Sequence, residues 1–193
     1  MKPVFALVAT GLLLAGCGEQ PETVHEREAK VAATAKALSG WDRAFGVPSS
    51  AIGAANQFGF GVGAYGPAKG GFAATGRPIM MSNSGAADPS IAIFTIEGAK
   101  PDLADHIVFA LKITDPIDVE TARQRFAQTI GDFMGKFEIK DGGAVGNAIL
   151  ANESLQGKVS GVTATVANTP TRIDVTFTRP GVTSPDTSKT RGQ

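Results

Sequence analysis

Few side chains in this sequence have the chemistry of an active site or a metal site. The chain has 193 residues but only two histidines, His25 and His106, and one cysteine. Asp102, Asp105 and His106 form its densest polar cluster, and such groups can transfer protons or bind a metal ion. The cluster lies where a strand is expected to begin, a place that is ordinarily solvated and charged. We therefore expect no catalytic or metal-binding role for it.

Motifs of the common enzyme classes are also missing from the sequence. Neither histidine has a companion at the spacing of zinc ligands, and no calcium-loop pattern occurs. Ser84-Gly85 lacks the rest of a nucleophile elbow, and a serine hydrolase would have to use His106 as its base. The sequence thus predicts a non-enzymatic protein with no cofactor and no metal.

One glycine pattern has the spacing of a dinucleotide-binding loop, G-x-G-x-x-G, at Gly61, Gly63 and Gly66. Such a loop must open a helix directly after a buried strand. Pro67 and the glycine pair that follows it disfavour a helix here, so we reject a nucleotide site.

Four other side chains have the size and chemistry to line a ligand pocket: Trp41, Tyr65, Met80 and Met81. Aromatic and methionine side chains more often fill cores and interfaces than bind ligands. We expect that packing role for all four.

The single cysteine stands at the end of an apolar N-terminal run. Residues 4 to 14 are almost all apolar, a run too short to cross a bilayer as a permanent helix. It ends in Leu14-Ala15-Gly16-Cys17, a large aliphatic residue and two small ones before the cysteine. This segment resembles the signal peptide and lipobox of bacterial lipoproteins. The alternative is an ordinary signal peptide or an uncleaved helix in which Cys17 is an incidental small apolar residue.

The resemblance implies a lipid anchor in a bacterial cell envelope. Residues 1 to 16 would be removed, and Cys17 would carry a diacylglyceryl thioether and an acylated amino group, for example palmitate. Several acyl chains on one residue hold a protein on a membrane essentially permanently. Gly18 stands where an aspartate tends to retain lipoproteins at the inner membrane, so the periplasmic face of the outer membrane is favoured.

Composition limits the partners and the fold. The sequence has 18 Lys and Arg against 18 Asp and Glu, so there is no basic excess for nucleic acid. With one cysteine, no disulfide can form within the chain. Hydrophobic residues make up 42%, enough for a packed core, and the 24 glycines and 11 phenylalanines suggest strands, tight turns and bulky core side chains.

A helix is predicted directly after the anchor, within an anchor, spacer and stalk segment at residues 17 to 40. Thr23 and Glu26 have the spacing of a capping box, which satisfies free N–H groups at a helix start. Its narrow apolar face consists of Val24, Val31, Ala35 and Leu38. Two heptads are too few for a coiled coil, so we expect a stalk helix that docks on the domain.

The segment from residue 41 to 90 is rich in glycine and low in charge. Within it, residues 58 to 64 alternate strictly, which predicts a strand with Phe58, Phe60 and Val62 on one face. This segment is a candidate edge strand. Residues 78 to 81 are expected to form a short strand or a loop plug.

The rest of the domain shows regular patterns. Residues 91 to 97 and 107 to 114 predict neighbouring antiparallel strands. Residues 158 to 167 and 171 to 178 predict a hairpin whose outward face is rich in threonine.

Between these two strand pairs a helix is predicted over residues 115 to 137. Asp115 suits its N-cap and Pro116 its first position. Its apolar stripe consists of Val119, Ala122, Phe126, Ile130, Phe133 and Phe137. A second row of small residues (Ala127, Gly131 and Gly135) would let another element come close. A shorter helix is expected over residues 144 to 155.

These elements predict an α+β fold in the order ββααββ. One antiparallel sheet of four or more strands carries the long helix (115–137) on its buried face, after a stalk helix and a glycine-rich segment. The domain is expected to span residues 41–182, with a glycine-rich part at 41–90 and a regular core at 91–180. Residues 183–193 are expected to be a disordered tail.

Two functions fit this sequence. The first is a lipid-anchored interaction, assembly or accessory factor that binds the membrane through Cys17 and contacts another envelope protein. The second is a lipid-anchored binding protein that holds a small apolar ligand between sheet and helix, which the phenylalanine stripe and the small-residue row suggest.

Overall fold

The computed structural model describes residues 23–183, so the predicted signal peptide, Cys17 and the tail from residue 184 lie outside the described residues. The helices within this range are α1 (Val24–Ala37), α2 (Gly40–Gly46), α3 (Pro48–Gln57), α4 (Val119–Gly135) and α5 (Gly143–Ala151). The strands are β1 (Gly66–Ala68), β2 (Gly71–Thr75), β3 (Ile79–Met80), β4 (Ile91–Gly98), β5 (His106–Lys112), β6 (Leu155–Val159), β7 (Val162–Thr169) and β8 (Arg172–Thr178).

The strands form one antiparallel sheet in the order β1-β2-β4-β5-β8-β7-β6, with β3 also paired to β4. The predicted pairing of the first two regular strands is confirmed, since Phe94 of β4 lies opposite Phe109 of β5. The sheet continues through β8, whose Val175 lies opposite Phe109. The fold is therefore α+β with an antiparallel sheet of more than four strands.

The element order after residue 90 differs from the predicted ββααββ. Three strands, not two, follow the helices, because the segment predicted as one strand from residue 158 to 167 contains a turn. Ser160 and Gly161 have φ of 45° and 87°, and this left-handed backbone reverses the chain between β6 and β7. The glycine-rich part adds three short strands at the other edge, after α2 and α3. Of these, β3 falls within residues 78 to 81, where a short strand or a loop plug was expected, whereas the sequence patterns had not indicated β1, β2 or the two helices.

The long helix is shorter than predicted at both ends. It begins at Val119 with Asp118 at the N-cap, and not with Asp115 and Pro116. The buried Asp115 carboxylate instead accepts a hydrogen bond from the Ile117 N–H at 3.1 Å. This local turn competes with helix formation, so the helix starts later. The apolar stripe is confirmed, because all of its members after the half-buried Val119 are buried.

Two other local predictions were wrong. Residues 58 to 64 alternate in burial but form no strand, because the Asn56 side chain takes the place of a neighbouring strand. It donates to the Val62 carbonyl at 3.1 Å and accepts from the Val62 N–H at 2.6 Å. Gly131 and Gly135 do not let another element come close, since a Cβ on either would meet nothing within 4 Å.

The core lies on one face of the sheet, between the strands and the helices. Phe109 of β5 has its ring centroid 5.1 Å from those of Phe94 in β4 and Phe133 in α4. On the same face, the Trp41 ring of α2 lies 4.6 Å from Phe177 of β8. Helices from both halves of the chain thus cover this face.

The N-terminal helix differs from the others because none of its side chains is buried. Its capping box is present, with the Thr23 N–H donating to Glu26 at 2.8 Å. Leu38, directly after the helix, is half-buried beside Gly46. Contact with the body is therefore strongest at the C-terminal end of α1. Within residues 23–183, no helix has the length and hydropathy needed to cross a bilayer.

Candidate functional site

The cluster at the start of β5 is held by an arginine that is distant in sequence. Arg179 Nη2 donates to Asp105 Oδ1 at 2.7 Å, and the Ala99 N–H donates to Asp105 Oδ2 at 2.8 Å. Burial opposes ionisation of this carboxyl, but the hydrogen bonds from Arg179 and Ala99 outweigh it and lower the pKa of Asp105. Arg179 also donates to the Ala104 carbonyl at 3.2 Å. The group thus joins the loop before β5 to the end of β8.

His106 and Asp102, the other two residues of this cluster, do not form a common site with each other. His106 Nδ1 lies 3.2 Å from Thr178 Oγ1 on the neighbouring strand, and burial lowers the pKa of His106 despite the carboxylates of Glu97 and Asp105. Asp102 is exposed in the loop. In the part of the chain that the structure describes, no three His, Cys, Asp or Glu side chains are grouped as a metal site requires.

The serine considered as a nucleophile belongs to a structural contact. Ser84 donates to the buried carboxylate of Asp115 and accepts from the Ala86 N–H at 3.1 Å. Both histidines lie on other elements, and His25 is an exposed residue of α1 that lies 3.9 Å from Glu28. The contact joins the loop before β4 to the segment before α4.

The four candidate pocket residues have different environments. Trp41 is buried and donates from Nε1 to the Val159 carbonyl at 2.9 Å, and Met81 is buried as well. Both fill the core, as expected. Met80 is 67% exposed, and Tyr65 lines a surface groove.

This groove, of about 690 Å³, lies between α1 and the body of the domain. Its floor comes from Val47, Pro48, Ile52 and Val62, which are all buried apart from this surface. One side is formed by Val31 of α1, which is 42% exposed. Grooves of this size and composition are typical of small-molecule sites. Sequence reasoning missed it because its two sides come from separate parts of the chain.

Tyr65, at the wall of the groove, is the single tyrosine of the chain. Its hydroxyl donates to the Leu103 carbonyl at 3.4 Å. Burial, together with the carboxylates of Asp105, Glu97 and Asp102, raises the pKa of Tyr65 to about 12. The hydroxyl therefore stays protonated at neutral pH and serves as a hydrogen-bond donor.

The sheet face opposite the helices is a second candidate site. One row crosses it by register: Thr75, Thr95, Val108, Thr176, Thr165 and Gln156. Thr95 and Val108 on this face are partly exposed, and Thr176 beside Val108 is buried, whereas Phe94 and Phe109 on the helical face are fully buried. The expected threonine-rich face thus extends beyond the predicted hairpin to β2 and β4.

The predicted lipid-attachment residue, Cys17, lies outside the described residues, six positions before Thr23, where the described chain begins. No protein-family model, curated protein or solved structure matches this chain.

Proposed function

We propose that this protein is a lipid-anchored accessory factor of a bacterial cell envelope, which acts by binding another envelope protein and not by catalysis. The observation that carries this proposal is the Leu14-Ala15-Gly16-Cys17 motif behind a short apolar run. The acyl groups on Cys17 would hold the protein at the membrane, with the periplasmic face of the outer membrane favoured. No nucleic acid partner is proposed, since the chain has no net basic charge.

The threonine-rich sheet face is the surface proposed to contact the partner. Thr95, Val108 and Thr165 belong to one row that crosses four strands, with Thr176 of β8 between Val108 and Thr165. Their short β-branched side chains form a flat surface, on which Thr95 and Val108 are partly exposed while Thr176 and the Thr165 hydroxyl are buried. Such a surface can combine apolar contact with hydrogen bonds, as protein interfaces do. The helices, which lie on the other face, would be free of the partner.

The alternative proposal, an apolar ligand between sheet and α4, has less support. Rings fill that space, since Phe133 of α4 has its centroid 5.9 Å from Phe94 and 5.2 Å from Phe137. All three side chains are buried. A ligand there would have to displace well-packed aromatic side chains, which is costly in a close-packed core.

Site-specific photo-crosslinking in intact cells tests the proposed interface. A photoreactive amino acid at Val108 should give one discrete product with an envelope protein, identified by mass spectrometry. The same amino acid at Gln128, an exposed position on α4, is the control and should give none. A second variant, Thr95→Lys, should weaken the product from position 108. Equal products from both positions, or none from position 108, would contradict this interface.

A further inference from the structure

The groove beneath α1 has features that the proposed function does not use. A helix normally docks by burying its apolar stripe, yet none of the α1 side chains is buried. Val31, the central member of that stripe, instead lines an open space of about 690 Å³. The opposite side of the space consists of Ile52 and Val62, which are 8% and 6% exposed. Apolar side chains of α1 and of the domain body thus line the same open space.

The charged residues along the groove are placed at its edge. Arg27 and Lys30 of α1 line it, and Asp102 is the single acidic side chain among its lining residues. The lining therefore has more positive than negative charge, although the whole chain is neutral. Arg27 is exposed, so a bound anionic group can approach it without being buried. Lys30 is exposed as well but already has an interaction of its own.

We propose that this groove binds a long-chain fatty acid, with the alkyl chain between Val31 and the Ile52–Val62 floor and the carboxylate beside Arg27. An apolar floor selects an alkyl chain, and the basic edge selects an anionic head over a neutral one. The volume lies within the range of sites for ligands of this size. The proposal is independent of the lipid anchor and of the sheet face, since it uses only residues of the groove.

Photoaffinity labelling of the full-length protein tests this site directly. The protein is purified from the membrane fraction or the soluble fraction, according to where it is found. The probe is palmitic acid with a diazirine in the middle of its chain. Crosslinks should map to α1 and to the segments that contain Ile52 and Val62, and excess palmitate should compete better than hexadecanol. Shorter competing fatty acids should lose about fourfold in affinity for each methylene removed.

Two matched pairs of α1 variants separate the alkyl and carboxylate contacts. Val31→Glu should reduce labelling at least about tenfold, because it puts a charge against the alkyl chain. Its control, Ala33→Glu, has the same charge on an exposed position outside the groove lining and should leave labelling unchanged. Arg27→Glu should weaken the binding of palmitate about two- to fivefold and have little effect on the binding of hexadecanol. Lys36→Glu should change the binding of neither compound.

Equal melting temperatures of the four variants will show that the fold is intact. Labelling that maps to the sheet face, or that is equal in Val31→Glu and Ala33→Glu, would overturn the proposal. Equal competition by palmitate and hexadecanol would overturn the assigned role of the basic edge. A negative result here would leave the lipid anchor on Cys17 and the protein interface intact, because neither uses the groove.

Discussion

At the level of single residues, Tyr65 lines the groove and also contacts the loop before β5. Its ring lies 6.1 Å from that of Phe72, and its hydroxyl contacts the Leu103 carbonyl. Because the chain has one tyrosine, the absorbance change on tyrosine ionisation belongs to this residue alone.

The first prediction is that Tyr65 titrates with a midpoint near 12 in the folded protein. In guanidinium chloride the midpoint should fall to about 10, the value of an unperturbed tyrosine. The folded pKa is the higher one, so stability is fully present below about pH 10 and decreases as pH rises through the folded pKa. An ultraviolet pH titration measures this, and the same midpoint in both states would contradict the environment described for Tyr65.

The second prediction concerns the ion pair between Asp105 and Arg179. Asp105→Asn should lower the free energy of unfolding by about 1–3 kcal/mol at neutral pH, because Arg179 loses its charged partner. The folded pKa of Asp105 is depressed, so its stabilisation is present above about pH 4 and is lost as pH falls through the folded pKa. Urea unfolding across this pH range should show the variant difference shrink in acid.

Asp102→Asn is the matched control for this experiment, because Asp102 is exposed in the same loop. It should change stability by less than about 0.5 kcal/mol. Equal effects of the two substitutions would show that Asp105 has no special structural role.

The sequence showed which polar residues are close along the chain but not how they are paired. Asp105 and His106 were grouped correctly as neighbours, yet their partners are Arg179 and Thr178, more than 70 positions later. Such pairing depends on β5 and β8 lying side by side, and no local pattern contains that information. For the same reason the groove, with sides from α1 and α3, could not be predicted.

At the scale of elements, the glycines of the chain have contrasting roles. Gly131 is inside α4 and has open space around it, whereas a Cβ on Gly98 in β4 would meet the Leu103 carbonyl oxygen at 2.6 Å and the Tyr65 hydroxyl at 2.7 Å. Glycine at position 98 therefore allows the Leu103 carbonyl and the Tyr65 hydroxyl to lie close to the β4 backbone, whereas glycine at position 131 has no such neighbour.

The third prediction follows from this contrast. Gly131→Ala should raise the free energy of unfolding by about 0.5–1 kcal/mol, because alanine has the better helix propensity and meets no neighbour. Gly98→Ala should lower it by about 1–3 kcal/mol, since its Cβ overpacks a backbone contact. Urea unfolding of both variants measures the difference, and destabilisation by Gly131→Ala would contradict the open environment of α4 at this position.

Elements with strong periodicity were predicted well, and those shaped by distant contacts were not. Alternation located β5 and β8, an apolar β-branched run located β4, and the apolar stripe located α4, because each buries one face against the core. Residues 58 to 64 alternate in the same way, but the Asn56 side chain forms hydrogen bonds with the backbone N–H and C=O of Val62, and no strand forms. The turn at Ser160-Gly161 was missed because it interrupts an otherwise continuous β pattern.

At the scale of the whole molecule, the described residues form a two-layer body. Helices cover one face of the sheet, and the threonine-rich face is partly exposed at Thr95 and Val108. Of the described elements, α1 is the nearest to Cys17 in sequence. If Cys17 is acylated, the five residues between it and Thr23 would keep α1 and the groove close to the membrane surface. The proposed fatty-acid site and the proposed protein interface would then lie on different sides of the anchored domain.

The lipid anchor proposed at Cys17 is tested by mass spectrometry of the N-terminal peptide from the native protein. We expect a chain that begins at Cys17, with a diacylglyceryl group on the sulfur and an acyl group on the amino nitrogen, and we expect Cys17→Ser to prevent this modification. A mature protein that still begins at Met1, or one that has an unmodified sulfur at position 17, would contradict it.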